Sequence, residues 1–146
     1  MPKLADDLQA AMTTARKAQD KDRTLLLGTV LAALKNREIE LSRELTDADV
    51  IEVLRKGVKT RRESVEQYVA GKRQDLADRE SWEIGVIEGY LPPDADPAEI
   101  RAAVRAAVAA GATEVGKVMG RVMPQFKGRA DGKVIQQIAR EELTQG

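Results

Sequence analysis

The chain has 146 residues, enough for one domain of ordinary size or two small ones, and its 24 basic and 24 acidic residues cancel. It has no His and no Cys, which excludes Ser-His-Asp and Cys-His catalysis, Cys/His zinc sites and disulfides. No nucleotide-binding or hydrolase motif occurs, so we expect no cofactor, no metal and no catalytic residues. No apolar run approaches about 18 residues, and the segment MPKLADDLQAAM does not resemble a signal peptide, so we expect a cytoplasmic protein without membrane contact.

Two helices are predicted at the start of the chain. The first runs from Lys3 to about Ala18, with Leu4, Leu8 and Met12 on one face. The second runs from about Asp22 to Arg43. Glu38 falls on its apolar stripe, which consists of Leu27, Val30, Leu31, Leu34 and Leu41.

A third helix is predicted from Asp47 to about Val69, with Thr46 as its N-cap, and a fourth from about Gln74 to Tyr90. The third carries five cations in eight residues: Arg55, Lys56, Lys59, Arg61 and Arg62. We interpret most of them as a solvated face, because acids lie four residues away from several of them. A second basic patch for a partner is the alternative.

Arg61 differs from its neighbours because it lies between Val58 and Val65 on the apolar seam of the third helix. A turn around Gly71 would bring it level with residue 81 of the fourth helix, whose seam includes Glu80. We therefore predict a partly buried ion pair between Arg61 and Glu80. Such a pair would fix helix register rather than carry out chemistry.

The segment LPPDADP, residues 91 to 97, predicts a boundary, because two adjacent prolines cannot continue a helix. Asp96 is placed to cap the next helix, and Glu99 is placed for a capping box. Further helices are predicted from Pro97 to Ala110, from Glu114 to Met123, and from Asp131 or Gly132 to about Leu143. The predicted fold is all-α, with an N-terminal four-helix domain (1–92) and a small three-helix C-terminal domain (93–146).

The segment from Val115 to Val134 has an excess of positive charge, with five cations and a single acid, Asp131. Glycines at 116, 120, 128 and 132 would let its backbone approach an anionic partner closely. The N-terminus of the last helix adds partial positive charge. These features predict phosphate contacts, and the candidate nucleic-acid-binding residues are Lys117, Arg121, Lys127, Arg129 and Lys133. A helical bundle with glycines at caps and turns is the alternative that the residues leave open.

Four segments of the chain resemble the GatB/YqeY family. They are AALKNREIEL (32–41), LTDADVIEVLRKGVKTRRESVEQYVAGKRQDLADRE (45–80), EIGVIEGYLP (83–92) and GKVMGRVMPQFKGRADGKVIQQI (116–138). We expect the free-standing YqeY-like branch to be the match, because no further domain is expected before these segments. The resemblance implies the same all-α fold, with four helices followed by three.

The resemblance also implies a partner. The same module forms the C-terminal region of the B subunit of the aspartyl/glutamyl-tRNA amidotransferase, where it is implicated in holding tRNA. It therefore implies a non-catalytic accessory protein that engages tRNA or another structured RNA. The family label, a carbon–nitrogen ligase with glutamine as amido-N-donor, leaves an enzyme open, but the residues give it no independent support.

A protein-interaction module is the remaining alternative. It would dock on amidotransferase subunits or an aminoacyl-tRNA synthetase through an apolar ridge formed by Val115, Val118, Met119 and Val122.

Overall fold

A computed structural model describes residues 2–127 and 129–145, and the described residues form seven α-helices and one short 3₁₀ helix with no strand. The predicted all-α fold is confirmed. The α-helices are α1 Lys3–Lys17, α2 Lys21–Leu41, α3 Asp47–Ala70, α4 Gln74–Glu88, α5 Pro97–Ala109, α6 Val115–Val122 and α7 Gly132–Gln145; the 3₁₀ helix is Met123–Phe126.

The chain divides into two compact units, Met1–Leu91 and Pro92–Gly146. The first contains α1 to α4 and the second contains α5 to α7. Each unit has its own cluster of buried apolar residues. That the segments 1–92 and 93–146 are separate domains, with the proposed four-plus-three organisation, stays a prediction.

The core of the first unit collects one apolar face from each of its four helices. α3 and α4 pack along each other as a hairpin, and α1 lies against α2. The largest side chains at the centre are almost fully buried, and they are Leu8, Leu26, Leu27, Val50 and Leu54. Leu8, Leu27 and Leu54 belong to the apolar faces whose helical period predicted α1, α2 and α3.

The start of α3 is held by a charged network around Asp49, a residue that is only 4 % exposed. Thr46 caps the helix as predicted: its hydroxyl accepts a hydrogen bond from the Asp49 N–H, and Asp49 accepts one from the Thr46 N–H. The Arg43 guanidinium donates to both carboxylate oxygens at 2.6 and 3.3 Å. These hydrogen bonds, first from Arg43 and then from Thr46, hold the pKa of Asp49 far below its usual range.

Arg61 has a different partner from the one expected. Its Nε lies 3.4 Å from Glu83 Oε2, not at Glu80, and both side chains of this pair are 17 % exposed. The α3–α4 turn is centred on Lys72, between Ala70 and Gln74, rather than on Gly71. In the sequence, Lys72 lies midway between Arg61 and Glu83. Glu83, rather than Glu80, is therefore the acid level with Arg61 on α4.

Glu80 nevertheless belongs to the same cluster. The pKa of its carboxyl is raised, first because burial disfavours its charge and second because the Glu83 carboxylate is close; Arg61 acts in the opposite direction. Gly57 leaves room for the guanidinium, since a Cβ there would lie 3.1 Å from Arg61 Nη1. Nη1 also donates to the Gly57 carbonyl at 3.2 Å. Arg61 therefore joins α3 to α4.

The second unit packs α5, α6 and α7 around one another. Asp96 caps α5 by accepting from the Ala98 N–H at 2.9 Å, and Pro97 takes the first helical position. Gly111, with a φ of 107°, follows the C-cap of α5 in the left-handed region that favours glycine. The core residues of this unit come from all three helices and the 3₁₀ helix, and include Ile100, Val104, Val118, Val122, Phe126, Ile135, Ile138 and Ala139.

Candidate nucleic-acid interface

The five cations predicted to contact RNA all lie in the second unit. Lys117 and Arg121 are exposed on α6, while Val118 and Val122 on the opposite side are completely buried. Spacing by one helical turn places the two cations on a common face. Most of the apolar ridge suggested for a protein partner is core: Val118 and Val122 are inaccessible, and Met119 packs against them, while Val115 is half-buried.

The three lysines of the set are alike in their surroundings. Lys117, Lys127 and Lys133 are exposed, and none of them has an ion pair with another described residue. Lys127 directly follows the 3₁₀ helix, and Lys133 lies in the first turn of α7. An ammonium group in this situation remains available to an external anion.

Arg121 makes a hydrogen bond within the second unit. Its Nη1 donates to the Ala110 carbonyl at 3.4 Å, where α5 ends. A cation at the C-terminus of a helix interacts favourably with the helix dipole. Arg121 is therefore partly committed to the fold, although its side chain remains exposed.

Arg129 is the most constrained of the five. Its guanidinium donates to both oxygens of Glu99, at 3.2 and 2.9 Å, in the two-pronged geometry that Arg adopts with carboxylates. The same group lies over the ring of Phe126, 5.7 Å from the centroid. Glu99 is thus not part of a capping box. It was missed as a site residue because its partner is 30 positions away in the sequence.

The backbone around Arg129 is held at several points. The Ala95 N–H donates to the Arg129 carbonyl at 2.8 Å, and the Arg129 N–H donates to the Phe126 carbonyl at 2.8 Å. The Asp131 side chain accepts a hydrogen bond from the Lys133 N–H at 3.0 Å. It thereby satisfies one of the backbone N–H groups that have no partner within the first turn of α7. Phe126 is 3 % exposed, which leaves its ring unavailable for stacking on a base.

Two of the glycines in this segment make no packing contact that would explain a glycine, as far as the described residues show. A Cβ at Gly116 or Gly120 would have no neighbouring atom within 4 Å, and both residues are exposed on α6. At Gly132, by contrast, a Cβ would lie 3.4 Å from Met123 Cε. Gly128 lies outside the described residues. Gly116 and Gly120 therefore leave the surface beside Lys117 and Arg121 open to close approach.

Other parts of the molecule offer little chemistry. The described residues contain no group of three or more acidic, His or Cys side chains that could hold a metal ion. A cleft of about 210 Å³ in the first unit includes Glu38 in its lining and is below the usual range of ligand pockets, about 300–1,000 Å³. Glu38 pairs with Lys35 at 3.5 Å. Among the described residues no helix is both long and apolar enough to cross a membrane.

Comparison with known proteins gives the family. A family profile described as Yqey-like protein matches residues 5–143, and the chain belongs to this family. An uncharacterized protein of Schizosaccharomyces pombe is 28 % identical over 95 residues, which are 65 % of this chain and 77 % of that protein. The resemblance inferred from the sequence segments is confirmed.

Other relatives carry the name altered inheritance of mitochondria protein 41, mitochondrial. The protein from Lachancea thermotolerans is 34 % identical over 102 residues, which are 68 % of this chain and 52 % of that protein. The one from Kluyveromyces lactis is 33 % identical over 88 residues, or 60 % of this chain and 45 % of that protein. The match thus spans about half the length of these relatives. Because they are named as mitochondrial, the expectation of a cytoplasmic protein was wrong.

Proposed function

We propose that this member of the Yqey-like family is an RNA-binding accessory protein with no catalytic role of its own, and that tRNA is its leading partner. The observation that supports this proposal is the contrast between cations within the second unit. Arg101, Arg105 and Arg129 are paired with acids of the same unit. Lys117 and Lys127 project from its basic segment, and neither has an acid partner among the described residues.

The proposed contact is with the phosphate backbone and the folded shape of the RNA. Lysine ammonium groups act as point charges that neutralise phosphates and displace bound counterions. The open glycines of α6 would let a sugar–phosphate chain approach the helix backbone. Sequence-specific recognition of unpaired bases relies on aromatic stacking, and Phe126 is buried, so shape would matter more than base identity.

The first experiment replaces Lys117, Lys127 and Lys133, the three lysines with no ion pair among the described residues, together with Ala. It measures binding to labelled unfractionated tRNA at several salt concentrations. The expected result is a large loss of affinity and a salt slope lower by about 2–3, since each phosphate contact contributes about 0.7–0.9. Circular dichroism should show unchanged helical content, because all three side chains are exposed.

A matched control removes three exposed lysines from the first unit, Lys17, Lys56 and Lys59. It changes the net charge by the same amount, so it separates a local contact from general electrostatic attraction. Equal losses in both variants, or unchanged binding in the first, would refute the assignment. A protein partner that stays bound after RNase treatment would favour the protein-interaction alternative.

Two further points belong to the proposal. Ammonia release from glutamine by the purified chain tests the family label of a carbon–nitrogen ligase, and we expect no turnover.

We also propose a mitochondrial location, because relatives are named as mitochondrial. Subcellular fractionation of the source cells tests this location.

A further inference from the structure

We propose that Glu99 acts as an internal substitute for phosphate, which occupies Arg129 in the free protein and gives it up when RNA binds. This inference rests on the proposed function of the second unit and adds a residue that controls it. Glu99 presents two carboxylate oxygens to the Arg129 guanidinium, at 3.2 and 2.9 Å. A phosphate group presents two oxygens in the same arrangement, so the two anions compete for one cation.

The surroundings make this exchange feasible. The side chains of Arg129 and Glu99 are 42 % and 49 % exposed, so incoming phosphate can reach the pair and water can solvate Glu99 once it is released. Exposed ion pairs contribute little to stability, so breaking one costs the fold little. Glu99 also lies in the first turn of α5, where the helix dipole stabilises its negative charge without Arg129.

The rest of the segment would keep Arg129 near its position during the exchange. Its backbone carbonyl accepts from Ala95, and its N–H donates to Phe126. The Phe126 ring under the guanidinium is buried in the core and restricts the side chain from one side. Only the side-chain torsions of Arg129 must therefore change for it to turn from Glu99 toward a phosphate near Lys127.

The test is a double-mutant cycle with unfractionated tRNA as the probe. Glu99→Gln removes the negative charge that competes with phosphate. Arg129→Ala removes the guanidinium that both anions would bind. Glu114→Gln is the matched control, because Glu114 is an exposed acid of the same unit whose side chain makes no capping hydrogen bond. Urea unfolding of every variant, with Glu99→Ala as a second substitution at that position, checks that each is folded.

The expected result is that Glu99→Gln tightens tRNA binding about 2–5-fold more than Glu114→Gln, the factor that corresponds to one exposed ion pair. In the Arg129→Ala background the two acid substitutions should have equal effects. Arg129→Ala alone should lower the salt slope by up to about one.

Equal gains from Glu99→Gln and Glu114→Gln in the otherwise unchanged protein would overturn the exchange. It would also be overturned if the excess gain of Glu99→Gln over Glu114→Gln persisted without Arg129. If the triple lysine variant loses tRNA while Glu99→Gln behaves like its control, the proposed function stands and this inference fails. If the triple lysine variant binds tRNA normally, the proposed function fails. If the unaltered chain binds no tRNA, both are refuted.

Discussion

Replacing Gly120 with Ala is expected to stabilise the protein and to weaken its binding of RNA. Gly120 lies inside α6, and a Cβ there would meet no atom within 4 Å. Among the described residues, no close packing against Gly120 compensates for the conformational entropy that glycine loses in a helix. Replacement by Ala should raise the free energy of unfolding by about 0.5–1 kcal/mol.

The effect on binding should have the opposite sign. If a sugar–phosphate chain lies against α6 beside Lys117 and Arg121, the added methyl group lies at the contact. Urea unfolding followed by circular dichroism gives the stability, and fluorescence polarisation with labelled tRNA gives the affinity. The two measurements on one variant separate a folding effect from a contact effect, because a more stable protein has no folding reason to bind less tightly.

Gly85→Ala is the matched control. Gly85 is also exposed within a helix, α4, and a Cβ there would likewise meet nothing within 4 Å, but it belongs to the first unit. It should stabilise by a similar amount without changing tRNA affinity. The reasoning about α6 would be refuted if Gly120→Ala left tRNA affinity unchanged, or if both substitutions weakened binding equally.

Two predictions concern pH and the first unit. Asp49→Ala should cost about 1–2 kcal/mol at pH 7, because it removes the carboxylate that accepts hydrogen bonds from the Thr46 N–H and from Arg43, while the Thr46 hydroxyl can still accept from the backbone N–H at position 49. Because the folded pKa of Asp49 is lowered, this contribution exists above its unfolded pKa of about 4 and disappears as pH falls through the folded value. The urea midpoints of the two proteins should therefore converge in acid. Glu80→Gln should stabilise the folded protein at pH 7.5 but not at pH 4. Because the folded pKa of Glu80 is raised, the folded state favours the neutral carboxyl, and this contribution to stability is lost as pH rises through the folded value. Urea midpoints at both pH values measure the difference. A loss of stability from Glu80→Gln at pH 7.5 would contradict this account.

Local patterns in the sequence predicted the helices well. The errors concern contacts between residues that are far apart in the sequence. Helix starts at Thr46 and Asp96 depend on side chains that bond the backbone a few residues away, so residue type and spacing identify them. The partner of Arg61 depends on the centre of the α3–α4 turn. The prediction centred this turn on Gly71, one residue before its observed centre. Each such shift changes the residue level with Arg61 by two positions on α4, and this is why Glu83 is its partner.

The candidate interface was harder to predict than the fold for a related reason. Charge counting treats Lys117 and Arg129 as equivalent cations. In the structure the first is unpaired among the described residues and the second is held by Glu99. That difference arises from contact between α5 and the loop before α7. A sequence without aligned relatives contains no signal for this pairing, since Glu99 also fits a capping box.

The difference between the paired arginines Arg101 and Arg129 and the exposed lysines has a consequence for what the second unit can recognise. The planar guanidinium of Arg129 binds both oxygens of Glu99, and that of Arg101 binds one oxygen each of Glu141 and Glu142. Lys cannot form such forked pairs of hydrogen bonds in one plane. The cations left to solvent at Lys117, Lys127 and Lys133 are point charges, which attract phosphate without defining its orientation. An RNA bound by lysines alone would be held through charge, with affinity that depends steeply on salt and little on base sequence. Transfer of Arg129 from Glu99 to a phosphate would add one directional contact and so favour RNAs whose folded shape places a phosphate there.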